Sequence, residues 1–500
     1  MEINKTIENF KTYVDRIEMF RSALGLMYFD AATGAPRGAA ESRAKRMGFF
    51  SSEIFAMTIS DEMKGYLDAL TPESDKLDDA TKAMVRIAKK HYDDGVQVPV
   101  EKMRAFSELR AKADLVWQDA KTNNDFASFA PYLKDLIAGR KEILAFRGCN
   151  KPLYDQLLDD YEPGFTMEMC DEFFGKLKSG IVPLLKKVMQ SNKSIDTSFK
   201  NIPVSIETQR KISTFLAEKI GYNLNCGLIR ESAHPFCASR GRDDVRITTT
   251  YHENDFLASV YSVLHECGHA IYEQNKSDEI ANTVLDDGIS MGIHESQSRF
   301  YENVIGRSKE FWEFICDDLK AFLPAEFANI TPHMFYEAVN VAQPSLIRIE
   351  ADELTYCLHI MVRYEIERMM FTEDLNVNDL PRIWNEKIEE YLGITPPNDT
   401  RGVLQDIHWS NALMGYFPSY AIGSAYAAQW LAYMEKELDI KALVKKGDFA
   451  PITNWLKKHI HTHGSIYTPG ELVMKIAGEP LNADYYIDYL TKKFSTVYGL

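Results

Sequence analysis

His265, Glu266 and His269 stand in the stretch Tyr261-Ser262-Val263-Leu264-His265-Glu266-Cys267-Gly268-His269-Ala270-Ile271-Tyr272, which contains His-Glu-x-x-His. On a helix, positions i and i+4 share a face, so the two imidazoles can close on one ion. Glu266 lies roughly 100° further round and stands beside that ion without being forced to ligate it. Two neutral imidazoles, an open coordination position and an adjacent carboxylate are what zinc-dependent peptide hydrolysis requires. A histidine pair on an amphipathic helix is also an ordinary core feature, so the residues downstream carry much of the weight. A catalytic zinc needs a third protein ligand. Glu295, in Gly292-Ile293-His294-Glu295-Ser296-Gln297-Ser298-Arg299, is the favoured candidate. His294, Asp286 and Asp287 compete for the role, although loop acids more often cap and shape turns. Cys267 sits two residues after His265, which turns it round the helix, and it reads as a small packing residue.

The elements that must position these groups are mostly helical. Leu257, Val260, Tyr261, Leu264 and Ile271 flank the motif at helical spacing and predict a helix over 256–274, with a second ligand helix at about 289–305. The same periodicity predicts helices over 2–30 and 38–58, broken at Thr33-Gly34-Ala35-Pro36, and at about 74–95, 99–122, 127–147, 166–191 and 206–220. The clearly non-helical region is about 222–252. There Asp244 to Tyr251 alternates, is β-branched and reads as a strand, with His234-Pro235-Phe236 upstream. A small sheet just before the metal helix serves either as an edge for an extended peptide or as a simple connecting hairpin. Three later stretches stand out: Arg348 among acids in Ile347–Glu353, read as helical; Gln405, Asp406, His408 and Trp409 in Gly402–Trp409; and Tyr416 and Tyr420 in a Gly- and Tyr-rich turn that opens a helix. Their plain structural readings are an i,i+4 ion pair, a buried Trp shell and a helix start.

The chain has 500 residues, 45% hydrophobic and 12% aromatic, ample for a large core. Its formal net charge of −16, with no long basic run, argues against nucleic acid as a partner. No apolar run is long enough for a membrane span, and the start lacks a signal-peptide core. Seven cysteines, odd in number and without Cys-x-x-Cys, fit a reduced, cytoplasmic compartment. No repeat or low-complexity linker divides the chain, so residues 1–500 read as one catalytic domain. His459, His461 and His463 alternate like a metal cluster, but no fourth ligand is near, and they read as structural.

Six motifs recur together: His234-Pro235-Phe236, Asp244-x-Arg246-x-Thr248, His265-Glu266-x-x-His269, His294-Glu295-Ser296-Gln297, Ile347-Arg348-x-x-Ala351-Asp352 and Gly402-x-x-Gln405-Asp406-x-His408-Trp409. In this order they resemble the thermostable, Taq-type zinc carboxypeptidase family, of the wider group that includes neurolysin-like and angiotensin-converting-enzyme-like peptidases. The resemblance covers essentially the whole chain. It implies a mainly α, two-lobed fold with a deep central groove and a small β-sheet beside the zinc helix. It further implies a cytoplasmic homodimer that takes single residues, with broad specificity, from peptides with a free C-terminus. One Zn2+ per chain, replaceable by Co2+ or Mn2+, would be held by His265, His269 and Glu295, with Glu266 as general base. His408 and Tyr420, preferred to Tyr416, would stabilise the oxyanion. Arg348, with Arg246 as runner-up, would bind the terminal carboxylate, and His234, Asp352, Gln405 and Tyr416 would complete the substrate contacts. An oligoendopeptidase or dipeptidyl carboxypeptidase would use the same metal helix, and product size separates these readings. A non-catalytic zinc or peptide-binding protein is the third, and the presence of Glu266 argues against it.

Overall fold

The computed structural model describes residues 2–500. The chain forms two compact units, each assembled from three separate segments: Met1–Val96, Ile195–Val339 and Trp430–Pro480 in the first, and Gln97–Ser194, Asn340–Gln429 and Leu481–Leu500 in the second. Both are mainly helical, and the described residues hold one sheet of three strands.

In the first unit, helix α1 (Phe256–Gln274) is capped by Asp255, whose side chain accepts from the N–H of Ala258, and is buried on nearly every side. A helix apolar all round must be a core element, and this one packs on the sheet and on helix Ile206–Lys219. The strands β1 (Gly227–Glu231), β2 (Cys237–Ser239) and β3 (Val245–Thr249) run in the order β1-β3-β2. β3 is parallel to β1, with Gly227 opposite Val245, and antiparallel to β2, with Cys237 opposite Ile247. Val245 and Ile247 are fully buried, and Thr249 Oγ1 donates to Ser262 Oγ of α1 at 3.0 Å. The alternating stretch 244–251 is therefore the central strand, with both of its edges taken, and not an edge itself.

Helix α2 (Met291–Arg299) begins where Ser290 Oγ accepts from the N–H of Ile293 and continues as a π-helical turn, Phe300–Ile305. The connection from α1 to α2 is held through Ile280, Val284 and Leu285, which join the core made by Phe10, Val14, Ile17, Met63, Leu67 and Met84. Gly464, at φ 46°, lies so close to this connection that a Cβ there would overlap the Leu285 carbonyl oxygen.

The second unit is built around helix α3 (Glu353–Thr372), which packs against Leu153–Tyr161, Met167–Gln190 and Leu380–Leu392. It too is buried nearly throughout, yet it carries His359, Arg363 and Glu367, all 0% exposed. Helix α4 opens at Pro418 and runs to Met434.

Several boundaries differ from the sequence reading. Helices Asp61–Leu70 and Leu153–Tyr161 lie where none is expected. The second occupies only nine residues between Pro152 and Glu162, too few for periodicity to register. The stretch expected at 74–95 is a 3-10 turn, Thr71–Lys76, followed by helix Asp79–Val96. Arg348 lies on a separate 3-10 turn, Arg348–Glu350, and not on a helix, because Asp352 caps the helix that follows. Among the described residues, no helix is long and apolar enough to cross a membrane.

Candidate metal centre

Helices α1 and α2 touch backbone to backbone. A Cβ at Gly268 would lie 2.5 Å from the Gln297 carbonyl oxygen and 2.7 Å from Ser298 Cα, so only glycine permits this approach. The approach brings Glu295 of α2 to the histidines of α1. Glu295 Oε2 is 3.7 Å from His265 Nε2 and 3.6 Å from His269 Nε2. Ligand atoms from these three residues all lie within 4.8 Å of one another, a group that can hold a metal ion.

The atoms behind the ligands fix their orientation. His265 Nδ1 is 2.8 Å from Glu302 Oε2, so an Nδ1–H donated there leaves Nε2 as the free lone pair. His269 Nδ1 is 2.6 Å from His294 Nδ1, and His294 Nε2 is 3.0 Å from Glu273 Oε1. With His294 Nε2–H donating to Glu273, His294 Nδ1 accepts from His269, which again turns Nε2 of His269 toward the group. Arg299 Nε donates to Glu295 Oε1 at 2.6 Å and Ser298 Oγ to Oε2 at 3.1 Å, so Oε2 keeps a second lone pair for an ion.

The electrostatics fit a cation. Burial opposes charge on His265, but the Glu295 and Glu302 carboxylates overcome it and raise the imidazole to about 9. Burial, with His294 and His265 beside it, holds His269 well below its ordinary value, in the neutral form a metal needs. Burial would raise Glu302, but Arg299, His265 and Arg307 hold it well below the usual carboxylate range. Burial pushes Glu266 up to about 7, although His265 pulls it down. Three carboxylates thus surround the imidazoles in a buried place, a donor set and charge that suit a divalent ion.

The competing acids are engaged elsewhere. Asp286 Oδ2 accepts from the N–H of Asn282 at 2.7 Å, and Asp287 Oδ1 accepts from that of Gly288 at 2.9 Å. Cys267 is fully buried, and burial lifts its thiol well above the ordinary value. The alternating histidines diverge: His461 Nε2 meets Gln297 Oε1 at 2.8 Å, His459 packs on Trp455 and His463 on Tyr467. Also in this unit, Arg246 Nε and Nη2 donate to Asp244 at 2.6 and 2.7 Å, and its guanidinium lies over the Phe29 ring. His234 is exposed, and its carbonyl accepts from Ser232 Oγ at 2.6 Å.

The remaining candidates belong to the second unit. Arg348 pairs neither with Glu350 nor with Asp352. Its Nε and Nη2 reach Asp406 Oδ1 at 3.0 and 2.9 Å, and Nη1 donates to the Tyr356 hydroxyl at 3.0 Å. Arg363 Nε donates to the other Asp406 oxygen at 2.7 Å. Gln405 Oε1 accepts from the Arg348 N–H at 2.9 Å and from Arg363 Nη2 at 2.8 Å. Asp352 Oδ1 caps α3 through the N–H groups of Leu354 and Thr355. His408 Nε2 is 3.3 Å from the Tyr420 hydroxyl, and its ring packs against Phe417 and Tyr416. Burial and Arg348 together lower His408 to about 3, which keeps the imidazole neutral.

A model of the family described as "Carboxypeptidase Taq (M32) metallopeptidase" matches residues 9–494. The chain belongs to this family. It is a metallocarboxypeptidase, a peptide hydrolase. Over 501 residues it is 43% identical to Carboxypeptidase 1 of Bacillus subtilis, covering 100% of both chains. It is 36% identical to Thermostable carboxypeptidase 1 of Thermus thermophilus, over 96% of each. The crystal structure of the M32 carboxypeptidase from Deinococcus radiodurans superposes with a TM-score of 0.95 at 32% identity, covering 99% of this chain and 100% of that one.

Sequence reasoning missed the groups behind this metallocarboxypeptidase's candidate ligands: Glu302, Arg299 and Glu273, and the backing role of His294. Glu295, Arg299 and Glu302 follow one another at spacings of four and three, which puts all three on one helix face, and that spacing was the available signal. Glu295→Ala should lose its metal to a chelator, whereas Asp286→Ala and Asp287→Ala should keep it. Glu302→Gln should weaken metal affinity about 10- to 100-fold by competition titration. Gly268→Ala should lower both the melting temperature and the metal content, because the added Cβ forces the two helices apart. Full metal loading in Gly268→Ala would show that the approach is not needed.

Proposed function

We propose that the chain is a zinc-dependent carboxypeptidase that removes single residues, with broad specificity, from the C-terminus of short or unstructured peptides. The observation that carries this reading is the meeting of His265 Nε2, His269 Nε2 and Glu295 Oε2, with the buried carboxyl of Glu266 next to them in sequence. Two imidazoles and one carboxylate suit one Zn2+, and Co2+ or Mn2+ accept the same donors. Bound there, the ion supplies Lewis acidity, polarising the scissile carbonyl and lowering the pKa of a water to about 7. Glu266 takes the proton of that water at its carboxylate and passes it to the leaving amine.

His408 and Tyr420 donate hydrogen bonds where negative charge develops on the carbonyl oxygen. A neutral His408 and a tyrosine hydroxyl within hydrogen-bond distance of it support that pairing, and support Tyr420 over Tyr416. Arg348 binds the terminal carboxylate. Arg348 and Arg363 share the single carboxylate of Asp406, while His359 and His408 are held neutral, so the cluster keeps an excess positive charge. Arg246, matched one-to-one by Asp244 and so without such an excess of charge, is the runner-up. His234 and Tyr416 complete the substrate contacts, and Asp352 and Gln405 act by holding the backbone around Arg348. The free cysteines support a reducing, cytoplasmic location. The protein works as a homodimer, which light scattering on the purified protein tests directly.

Glu266→Gln should retain zinc while turnover falls by roughly 100-fold or more. Activity within a few-fold of the parent would remove Glu266 from the mechanism. Amidating the C-terminus of a good substrate should cost about 10- to 150-fold in kcat/KM, the range for a charge-assisted pair of about 1.5–3 kcal/mol. Arg348→Ala should abolish the difference between free and amidated peptide. An unchanged ratio would transfer the role to Arg246, and no preference in the parent would make the enzyme an endopeptidase.

A further inference from the structure

Helix α3 carries a buried carboxylate that no step above uses. Glu367 is 0% exposed. Its Oε1 accepts from Trp409 Nε1 at 2.9 Å; its Oε2 accepts from the Tyr154 hydroxyl at 2.9 Å and from the N–H of Gly415 at 2.7 Å. Trp409 directly follows His408, and Gly415 directly precedes Tyr416. One carboxylate therefore grips the connecting stretch at both ends, next to the imidazole at one and, at the other, next to Tyr416 in the turn that leads into the helix bearing Tyr420.

The same helix face grips the residues just before His408. One turn earlier, Arg363 donates to Asp406 and Gln405. The stretch has no slack against the neighbouring helix either. Gly415 sits at φ 91°, and a Cβ there would lie 2.8 Å from Leu157 Cβ and 2.9 Å from the Leu157 carbonyl oxygen. Burying a carboxylate is unfavourable even when its acceptors are filled, and an apolar residue of similar volume would often stabilise such a core better. Burial pushes Glu367 up to about 7 against three neutral donors. Its presence calls for a role beyond cohesion.

We propose that Glu367 is a positioning residue for the reaction: through Trp409 and Gly415 it fixes His408 and Tyr420 at the separation from which both can donate to one oxygen. It touches no substrate. The proposal rests on the oxyanion-binding roles proposed for His408 and Tyr420.

Glu367→Gln keeps the shape but turns one oxygen into an N–H2 group, which must then face an N–H or O–H donor. Kinetics on one short peptide with a free C-terminus, read with zinc content and melting temperature, test the idea. Glu367→Gln should lower kcat about 10-fold or more, with KM within about threefold and zinc retained, the signature of an interaction made in the transition state. Trp409→Phe and Tyr154→Phe each remove one donor from the same carboxylate. Trp409→Phe should reproduce the kcat loss, and Tyr154→Phe, whose hydroxyl comes from helix Leu153–Tyr161, should leave kcat within about twofold. Equal kcat losses in this pair would reduce Glu367 to a core residue, and the comparison holds even if Glu367→Gln fails to fold. In a His408→Ala background, Glu367→Gln should cost several-fold less than in the parent, because the part of its effect that runs through His408 is already lost. Fully multiplicative losses would overturn the proposal. A His408→Ala enzyme with full kcat would sink the underlying reading and this proposal with it. A slow His408→Ala enzyme beside an unimpaired Glu367→Gln would sink this proposal alone.

Discussion

The candidate metal centre depends on two backbones being allowed to touch. At Gly268 the helix bearing both histidines comes so close to Gln297 and Ser298 that no side chain fits between them. That approach lets Glu295 meet His265 and His269, and the rest of the arrangement extends it. Arg299, one turn on, fixes the second oxygen of Glu295, and the π-helical turn after it carries Glu302 to His265 Nδ1. A π-turn widens a helix and shifts the residues after it round the axis, a distortion that recurs at functional sites. The three candidate ligands are thus held from behind by groups that belong to the same two helices, and the sheet closes the far side of α1.

The two units carry opposite electrostatic surpluses. In the first, carboxylates outnumber the cations around a pair of imidazoles, which favours a metal ion. In the second, two guanidinium groups share one aspartate beside two histidines kept neutral, which favours an anion. Neither surplus is screened by water as a surface pair would be, so each acts at close to its full local strength.

Local spacing made the first of these centres legible in the sequence. His265 and His269 lie one helical turn apart, Glu295 comes in a second amphipathic stretch, and the α-helical character of both is plain. Burial was not legible. Arg363 and Glu367 stand one helical turn apart, the spacing of an ordinary exposed ion pair, whereas both are fully buried because helices from other segments close over them. Arg348 shows the same limit. Its acidic neighbours suggest a local ion pair, and its actual partner, Asp406, is brought to it by tertiary structure alone. Helix Leu153–Tyr161 escaped notice because prolines bound a stretch shorter than the periodic signal needs.

The interleaving of segments has a consequence for how the protein comes into being. The first unit requires chain as far as Pro480, and the second is closed by Leu481–Leu500. A ribosome adds about 5–20 residues per second, so roughly ten to forty seconds separate the emergence of His269 from that of Pro480. Throughout that interval the helix that carries both histidines, buried along most of its length, has no complete core to enter. Folding of both units is therefore an event of the finished chain, and the nascent protein presents to chaperones a long-lived hydrophobic segment at its middle.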